Sequence, residues 1–203
     1  MPASCPRHES SAEVATTEFD VVLTAAQEGA QWAIAVLWRN LHPRLLRFLR
    51  GLDPILAEDV EAETWLVAAR DLAMFRGDER QFRAWMFTIA RNRLIDARRR
   101  EARRPSVAMP PETLHERPAD DDPAMTALDV VSADAAVALV REWLPPDQAE
   151  VILLRVLAGL DVKEVAAIVG KRTGNVRVLQ HRGLRRLAER IAHGAPERRG
   201  VTP

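Results

Sequence analysis

The chain has 203 residues, enough for one medium domain or two small ones, and at 47% apolar side chains it carries what a folded core requires. Its 29 basic and 29 acidic residues cancel, and no apolar run approaches the roughly 20 residues of a membrane span, so no direct membrane contact is expected. The single Cys5 excludes a disulfide framework, and the polar start MPASCPRHESSAE lacks the apolar segment of a signal peptide, so the expected location is the cytoplasm.

Residues 1–17 are expected to form a disordered leader, and 18–104 a first domain. There, apolar residues recur at three- and four-residue spacing with little alternation, the period of helices, and four are predicted. The first covers about 19–28 and stops near Gly29. The second covers 30–51, with Trp38, Leu41, Leu45, Phe48 and Leu49 as its buried stripe and a bend expected at Pro43. The third starts with Pro54 near its first turn and directs Val60, Trp65, Leu66 and Ala69 inward. The fourth, over about 79–103, ends before Pro105, and its stripe of Phe82, Trp85, Met86 and Ile89 reads as core rather than as a base-stacking platform.

Residues 105–131 hold five of the thirteen prolines and the run Asp120-Asp121-Asp122, a composition that cannot bury a core, so a flexible acidic linker is expected over 105–133. Helical periodicity resumes at Ala135, with Leu139, Val140, Trp143 and Leu144 in one short helix. Asp147 opens the next, which Gly159 closes. Asp161 and Glu164 then have capping-box spacing, and Gly170 stands where a left-handed residue ends a helix. A longer basic helix from about Thr173 to Ile191 completes a helix-turn-helix, a module that reads DNA. The expected fold is therefore all-α: a helical bundle and a helix-turn-helix domain over 134–193, joined by the linker and followed by a disordered tail over 194–203. With so little chain after Ile191, no appended regulatory domain is expected.

The neutral total hides sorted charge. Residues 53–63 hold five acids and no base, whereas residues 91–104 hold seven Arg against Asp96 and Glu101. Seven acids then lie between Glu112 and Asp134 with only Arg117, and residues 171–190 carry Lys171 and six Arg against Glu189. Two basic stripes separated by acid point to two nucleic-acid contacts and one basic partner surface. Enzyme chemistry finds little support. Apart from the first residues, the serines are Ser106 and Ser132 and tyrosine is absent; the five histidines lack metal-ligand spacing, and no glycine-rich loop follows a strand. The best enzymatic alternative, a Mg-dependent nuclease, would rest on Asp59 and Glu63, four apart on one helical face. No cofactor or metal is expected.

The stretch AEDVEAETWLVAARDLAMFRGDERQFRAWMFTIARNRLIDARRRE resembles the core-binding and promoter-melting segment of the extracytoplasmic-function group of bacterial RNA polymerase sigma factors, and LPPDQAEVILLRVLAGLDVKEVAAIVGKRTGNVRVLQHRGLRRLAERI is similar to that family's C-terminal helix-turn-helix. The resemblance covers roughly residues 19–192. It implies a chain that binds core RNA polymerase through its largest and second-largest subunits, recognises two elements of promoter DNA and, as such factors often do, answers to an anti-sigma factor. Glu58, Asp59 and Glu63 would dock on the basic clamp coiled coil of the largest subunit. The loop 75–80, with Arg76, would receive a base flipped from the minus-ten element, while Arg91, Asn92, Arg98 and Arg99 hold the strand. Arg172, Thr173, Asn175, Arg177, His181, Arg182 and Arg186 fall on the minus-thirty-five side, with Arg177 as base reader and Arg186 as a backbone contact.

Departures from the family pattern bear on the recognition helix. Arg172 replaces a capping serine, so Thr173 is expected to take over that cap; Gln180 and Leu179 exchange the usual apolar and basic positions, leaving open which of Val178, Leu179 and His181 faces the bases. Ala62 stands for a glutamine in the acidic segment. The rival from another class is a free-standing two-domain regulator whose first domain dimerises or binds a ligand.

Overall fold

In the computed structural model the described residues are 10–103 and 127–194, and among them every regular element is helical. The first half comprises α1 (Ser10–Gln27), α2 (Gln31–Leu52), α3 (Ala57–Asp71), one turn of 3-10 helix at Leu72–Met74, and α4 (Glu79–Arg103). The second comprises α5 (Ala127–Trp143), α6 (Pro146–Val156), α7 (Val162–Val169) and α8 (Thr173–Gly194).

The first domain is built on a seam between α2 and α4. Leu45, Phe48 and Leu49 of α2 and Met86, Phe87 and Ala90 of α4 are completely buried, with the Phe48 and Phe87 rings 5.1 Å apart. Pro43 lies inside α2 without ending it. Trp38, expected in this stripe, is only half-buried. It leaves the seam to stack on His42 at 4.2 Å.

Three expectations are corrected in this half. Pro54 does not open α3; it belongs to a turn over 54–56 in which Asp53 Oδ1 accepts from the Leu56 amide, and the helix starts at Ala57. The inward face of α3 consists of Ala57, Val60, Glu61, Thr64 and Ala68, so Trp65 is half-buried while Leu66 is 72% exposed and Ala69 is at the surface. Thr64 can lie inside because its hydroxyl donates to the Val60 carbonyl at 2.7 Å, satisfying the one polar group it brings. The first helix also begins earlier than its apolar pattern does, at Ser10.

The linker expected over 105–133 falls largely outside the described residues, but its last part is helical: α5 starts at Ala127. Beyond Pro123 the run AMTALDVVSADAAVALV has neither Gly nor Pro and is rich in Ala, so helix propensity continues upstream of the first core-facing residue. In the second domain Val151, Leu154, Leu160, Val165 and Val176 form a dry centre. Pro146 occupies the first turn of α6, where its missing N–H costs nothing. Both carboxylates of the predicted capping box are in place: Asp161 Oδ1 accepts from the amides of Lys163 and Glu164 at 2.7 and 2.9 Å, and Glu164 Oε2 accepts from the Asp161 amide at 2.6 Å. Gly170 ends α7 at φ 66° and ψ 33°, a left-handed conformation that a side chain would oppose.

Replacing Phe48 by Ala is expected to lower stability by about 3–5 kcal/mol in denaturant unfolding, because the ring faces Phe87 in a site with no solvent to collapse into; a loss under about 1 kcal/mol would place the core elsewhere. The cap makes a pH-dependent contribution. The Glu164 amide, then the Lys163 amide and Arg80, hold the Asp161 carboxyl below the usual carboxylate range. Its contribution is therefore full above the ordinary carboxylate value and is lost as pH falls through the depressed one. Asp161→Ala is expected to lower the thermal midpoint at neutral pH and to converge with wild type in acid; an equal gap at both would remove the cap from the account.

Candidate nucleic-acid interface

The loop between the 3-10 turn and α4 is held from three sides. Gln27 of α1 donates from Nε2 to the carbonyls of Leu72 and Phe75 at 3.0 and 2.9 Å. Asp78 and Gln81 form a reciprocal cap on α4: Asp78 Oδ1 accepts from the Gln81 amide at 2.7 Å and Gln81 Oε1 from the Asp78 amide at 2.9 Å. Arg76 Nη1 donates to the carbonyls of Ala73 and Phe75 at 2.8 and 2.7 Å, so this predicted site residue stands at the loop's base and braces it. Beneath, Phe75 meets Phe82 edge-on at 5.5 Å and Trp85 at 5.0 Å, while Phe19 closes on Phe82 at 5.8 Å. Phe82 is 3% exposed and Trp85 half-buried, which agrees with their reading as core. They form an aromatic floor under a preshaped loop.

Along α4 the predicted strand-holding residues separate into three situations. Asn92 and Arg99 are exposed. Arg98 ties α4 to the end of α2, with Nε donating to Asp53 Oδ2 at 2.9 Å and Nη2 to the Leu52 carbonyl at 2.6 Å. Arg91 is the least accessible: its Nε donates to Glu150 Oε1 of α6 at 2.7 Å, with both side chains under 20% exposed.

The acidic block at 53–63 is not one surface. Glu61 is 8% exposed; its Oε1 lies 2.8 Å from His42 Nδ1 and accepts from the Trp65 indole, so it is a structural carboxylate joining α2 to α3. Among the predicted docking residues, Glu58 accepts from Arg50 at 3.0 Å and Glu63 from Arg100 at 3.1 and 3.0 Å. Asp59 is exposed and, among the described residues, has no cation within bridging distance. Arg100 engages Glu63, and no cluster of three potential metal ligands occurs among the described residues.

On α8 the rotation left open by the sequence is now defined. Val176 is fully buried, Leu179 and Gln180 are half-buried, and Gly183 lies close against Ile152; Val178 and His181 face solvent. Arg172, Thr173, Asn175, Arg177, Arg182 and Arg186 are likewise exposed, with Arg186 Nη1 reaching Gln148 Oε1 at 3.5 Å. The helix begins at Thr173, and Arg172, whose carbonyl accepts from the Val176 amide at 3.1 Å, holds the cap position expected to pass to Thr173.

Sequence reasoning missed Gln27, His42 and Glu150. The only available signal was polar residues at helix positions facing apolar neighbours, which does not specify a partner distant in the chain.

The family described as Sigma-70 region 2 matches residues 37–104, and that described as Sigma-70, region 4 matches residues 142–187. The chain is 36% identical over 179 residues to an ECF RNA polymerase sigma factor, SigD, of Mycobacterium tuberculosis, covering 85% of this chain and 83% of that one. It is 34% identical over 181 residues to the ECF RNA polymerase sigma factor ShbA of Streptomyces griseus, covering 85% and 94%. In fold it is similar to a sigma factor RpoE solved in complex with the anti-sigma factor NepR from Bartonella quintana, with a TM-score of 0.56 at 24% identity over 78% of this chain and 96% of that one. It is similar also to CnrH solved with the cytosolic domain of CnrY, at a TM-score of 0.53 and 23% identity over 86% and 97%.

Proposed function

This chain belongs to the extracytoplasmic-function family of RNA polymerase sigma factors, and it directs core polymerase to specific promoters; from that premise we propose how its residues divide the work. The outward acids of α3, the exposed Glu58 and Asp59 and the half-buried Glu63, take hold of a basic surface on the largest polymerase subunit. Glu58 and Glu63 exchange their exposed intramolecular arginines for the partner's cations, at little net cost because surface pairs are worth about 0–1 kcal/mol. The loop 75–80 receives a base extracted from the minus-ten element, and Asn92 and Arg99, joined by Arg91 and Arg98 once these leave their internal partners, carry the strand's phosphates. Unstacking costs a few kcal/mol. A loop braced by Gln27 and Arg76 is suited to supplying that cost from binding, since it needs no ordering of its own.

The C-terminal helix-turn-helix reads the minus-thirty-five element with α8. Arg177 and His181 lie in its first turns and outward, the part of a recognition helix that enters the major groove, with Arg172, Thr173, Asn175 and Arg182 beside them and Arg186 on the backbone. No chemical step is assigned to this chain: the polymerase supplies the metal and the bond formation. A cytoplasmic location and an anti-sigma partner complete the proposal; no described helix is long and apolar enough to cross a membrane.

The observation that carries the proposal is the division of charge between consecutive helices, with the exposed acid of α3 before the braced loop in the chain and the exposed Asn92 and Arg99 of α4 after it. Asp59→Lys combined with Glu63→Lys is expected to abolish co-purification with core polymerase and run-off transcription while leaving the helical circular-dichroism signal at wild-type strength. Normal polymerase binding by that variant would remove α3 from the docking role, and DNA cleavage by the wild type in Mg would favour the nuclease instead.

A further inference from the structure

A cavity of about 410 Å³ opens between α1, α2 and the first turn of α4, within the roughly 300–1,000 Å³ of sites that hold small molecules. Its walls belong to the first domain alone. Val36, Asn40 and Arg44 follow one another at four-residue spacing and so form one row on α2, running from apolar side chain to amide to cation. Phe19 and Val22 of α1 and Phe82 of α4 complete the apolar part, while Arg39 and Arg83 join Arg44 in the cationic part. Arg47, a fourth lining arginine, is already held by Asp134 at 2.8 Å. Phe82 also lies under the loop 75–80, so the cavity adjoins that loop through a shared ring.

Two polar groups at the wall have unmet bonding capacity. Arg83 donates from Nη1 to Glu79 at 3.0 Å, but its Nε is buried and has no acceptor. Pro43 has no N–H to give to the Arg39 carbonyl four residues back, and both residues line the cavity. A buried donor without an acceptor and a helical carbonyl without its donor both gain from a ligand that supplies the missing partner. Charge points the same way. Among the described residues Arg39 and Arg44 have no carboxylate within bridging distance, whereas Arg47 and Arg83 have one each.

We propose that this cavity is a binding site for a free nucleoside monophosphate whose base carries an amino group. The phosphate is met by the guanidinium groups of Arg39, Arg44 and Arg83, whose paired N–H donors match its oxygens. The flat base lies against Phe19, Val22 and Val36, and its amino group finds acceptors in the Arg39 carbonyl and the Asn40 carboxamide. Glu18 accepts from the ribose hydroxyls. Together with Glu79 it also sets a limit on charge, because two carboxylates in the same wall oppose the additional phosphates of a di- or triphosphate.

Isothermal titration calorimetry of the full-length chain in about 0.15 M salt tests the assignment, with adenosine monophosphate, adenosine and inorganic phosphate as separate probes. Adenosine monophosphate is expected to bind with a Kd below about 1 mM, and adenosine and phosphate each at least about tenfold more weakly, since each engages one half of the cavity. Arg39→Gln combined with Arg44→Gln should weaken adenosine monophosphate at least about tenfold. Val36→Trp, which fills the apolar end and leaves every charge in place, should do the same, and both variants should keep the helical circular-dichroism signal. Arg185→Gln on α8 should bind as wild type does. A single-stranded deoxyadenylate hexamer represents the other source of the same chemistry, a DNA strand, and its affinity is expected to be unchanged by Val36→Trp. A parallel loss of hexamer binding would assign the cavity to a strand and overturn the proposal. So would a Kd for adenosine monophosphate above about 10 mM, phosphate binding as tightly as the nucleotide, undiminished affinity in the cavity variants, or an equal loss in Arg185→Gln.

Discussion

The packing of α4 against α2 is the constraint from which the functional surfaces follow. Phe82, Met86, Phe87, Ala90, Leu94 and Ala97 are buried along α4 at helical spacing. Once these are inward, Asn92 and Arg99 must face out and Arg91 must lie at the margin between them. A helix that was cationic all round could not dock on a core; one that was apolar all round could not carry a strand. The same seam positions the loop, because α4 starts at the cap made by Asp78 and Gln81 and its first buried residue, Phe82, is also the floor of that loop.

Around this seam the arginines act as adjustable ties. Arg98 reaches the end of α2, Arg100 reaches Glu63 on α3 and Arg50 reaches Glu58, all through side chains at least partly in water. Such pairs orient helices without fixing their charges permanently, so a stronger anionic or cationic partner can replace either member. The buried link between α2 and α3 has a different character. Glu61, bonded to both His42 and Trp65, has no solvent to return to and removing one partner would strand a carboxylate. Between Ala57 and Thr64 the helix thus combines one permanent acid, Glu61, with three that are available for exchange or docking.

What could be read in advance was local. The bounds of α4, the αL glycine at 170 and the Asp161–Glu164 box follow from capping chemistry that acts within a few residues. Errors arose where tertiary context outweighed local pattern. Pro54 was compatible with a first helical turn, but the Asp53 turn took it. Leu66 fitted an apolar stripe, yet Thr64 and Glu61 took the inward positions because their polar groups found partners on α2 and α3. Charge sorting along the chain marked out acidic and basic segments. It could not reveal that Arg91 and Glu150, 59 residues apart, meet each other.

The central claim is that the braced loop and the outer face of α4 open promoter DNA rather than merely bind it. Open-complex formation by holoenzyme carrying Asn92→Ala, compared on duplex promoter and on a template already mispaired across the minus-ten element, tests it most directly. The account predicts a clear loss on duplex and near-normal activity on the mispaired template, where no base has to be extracted. Equal losses on both templates would contradict it and reduce α4 to an electrostatic tether.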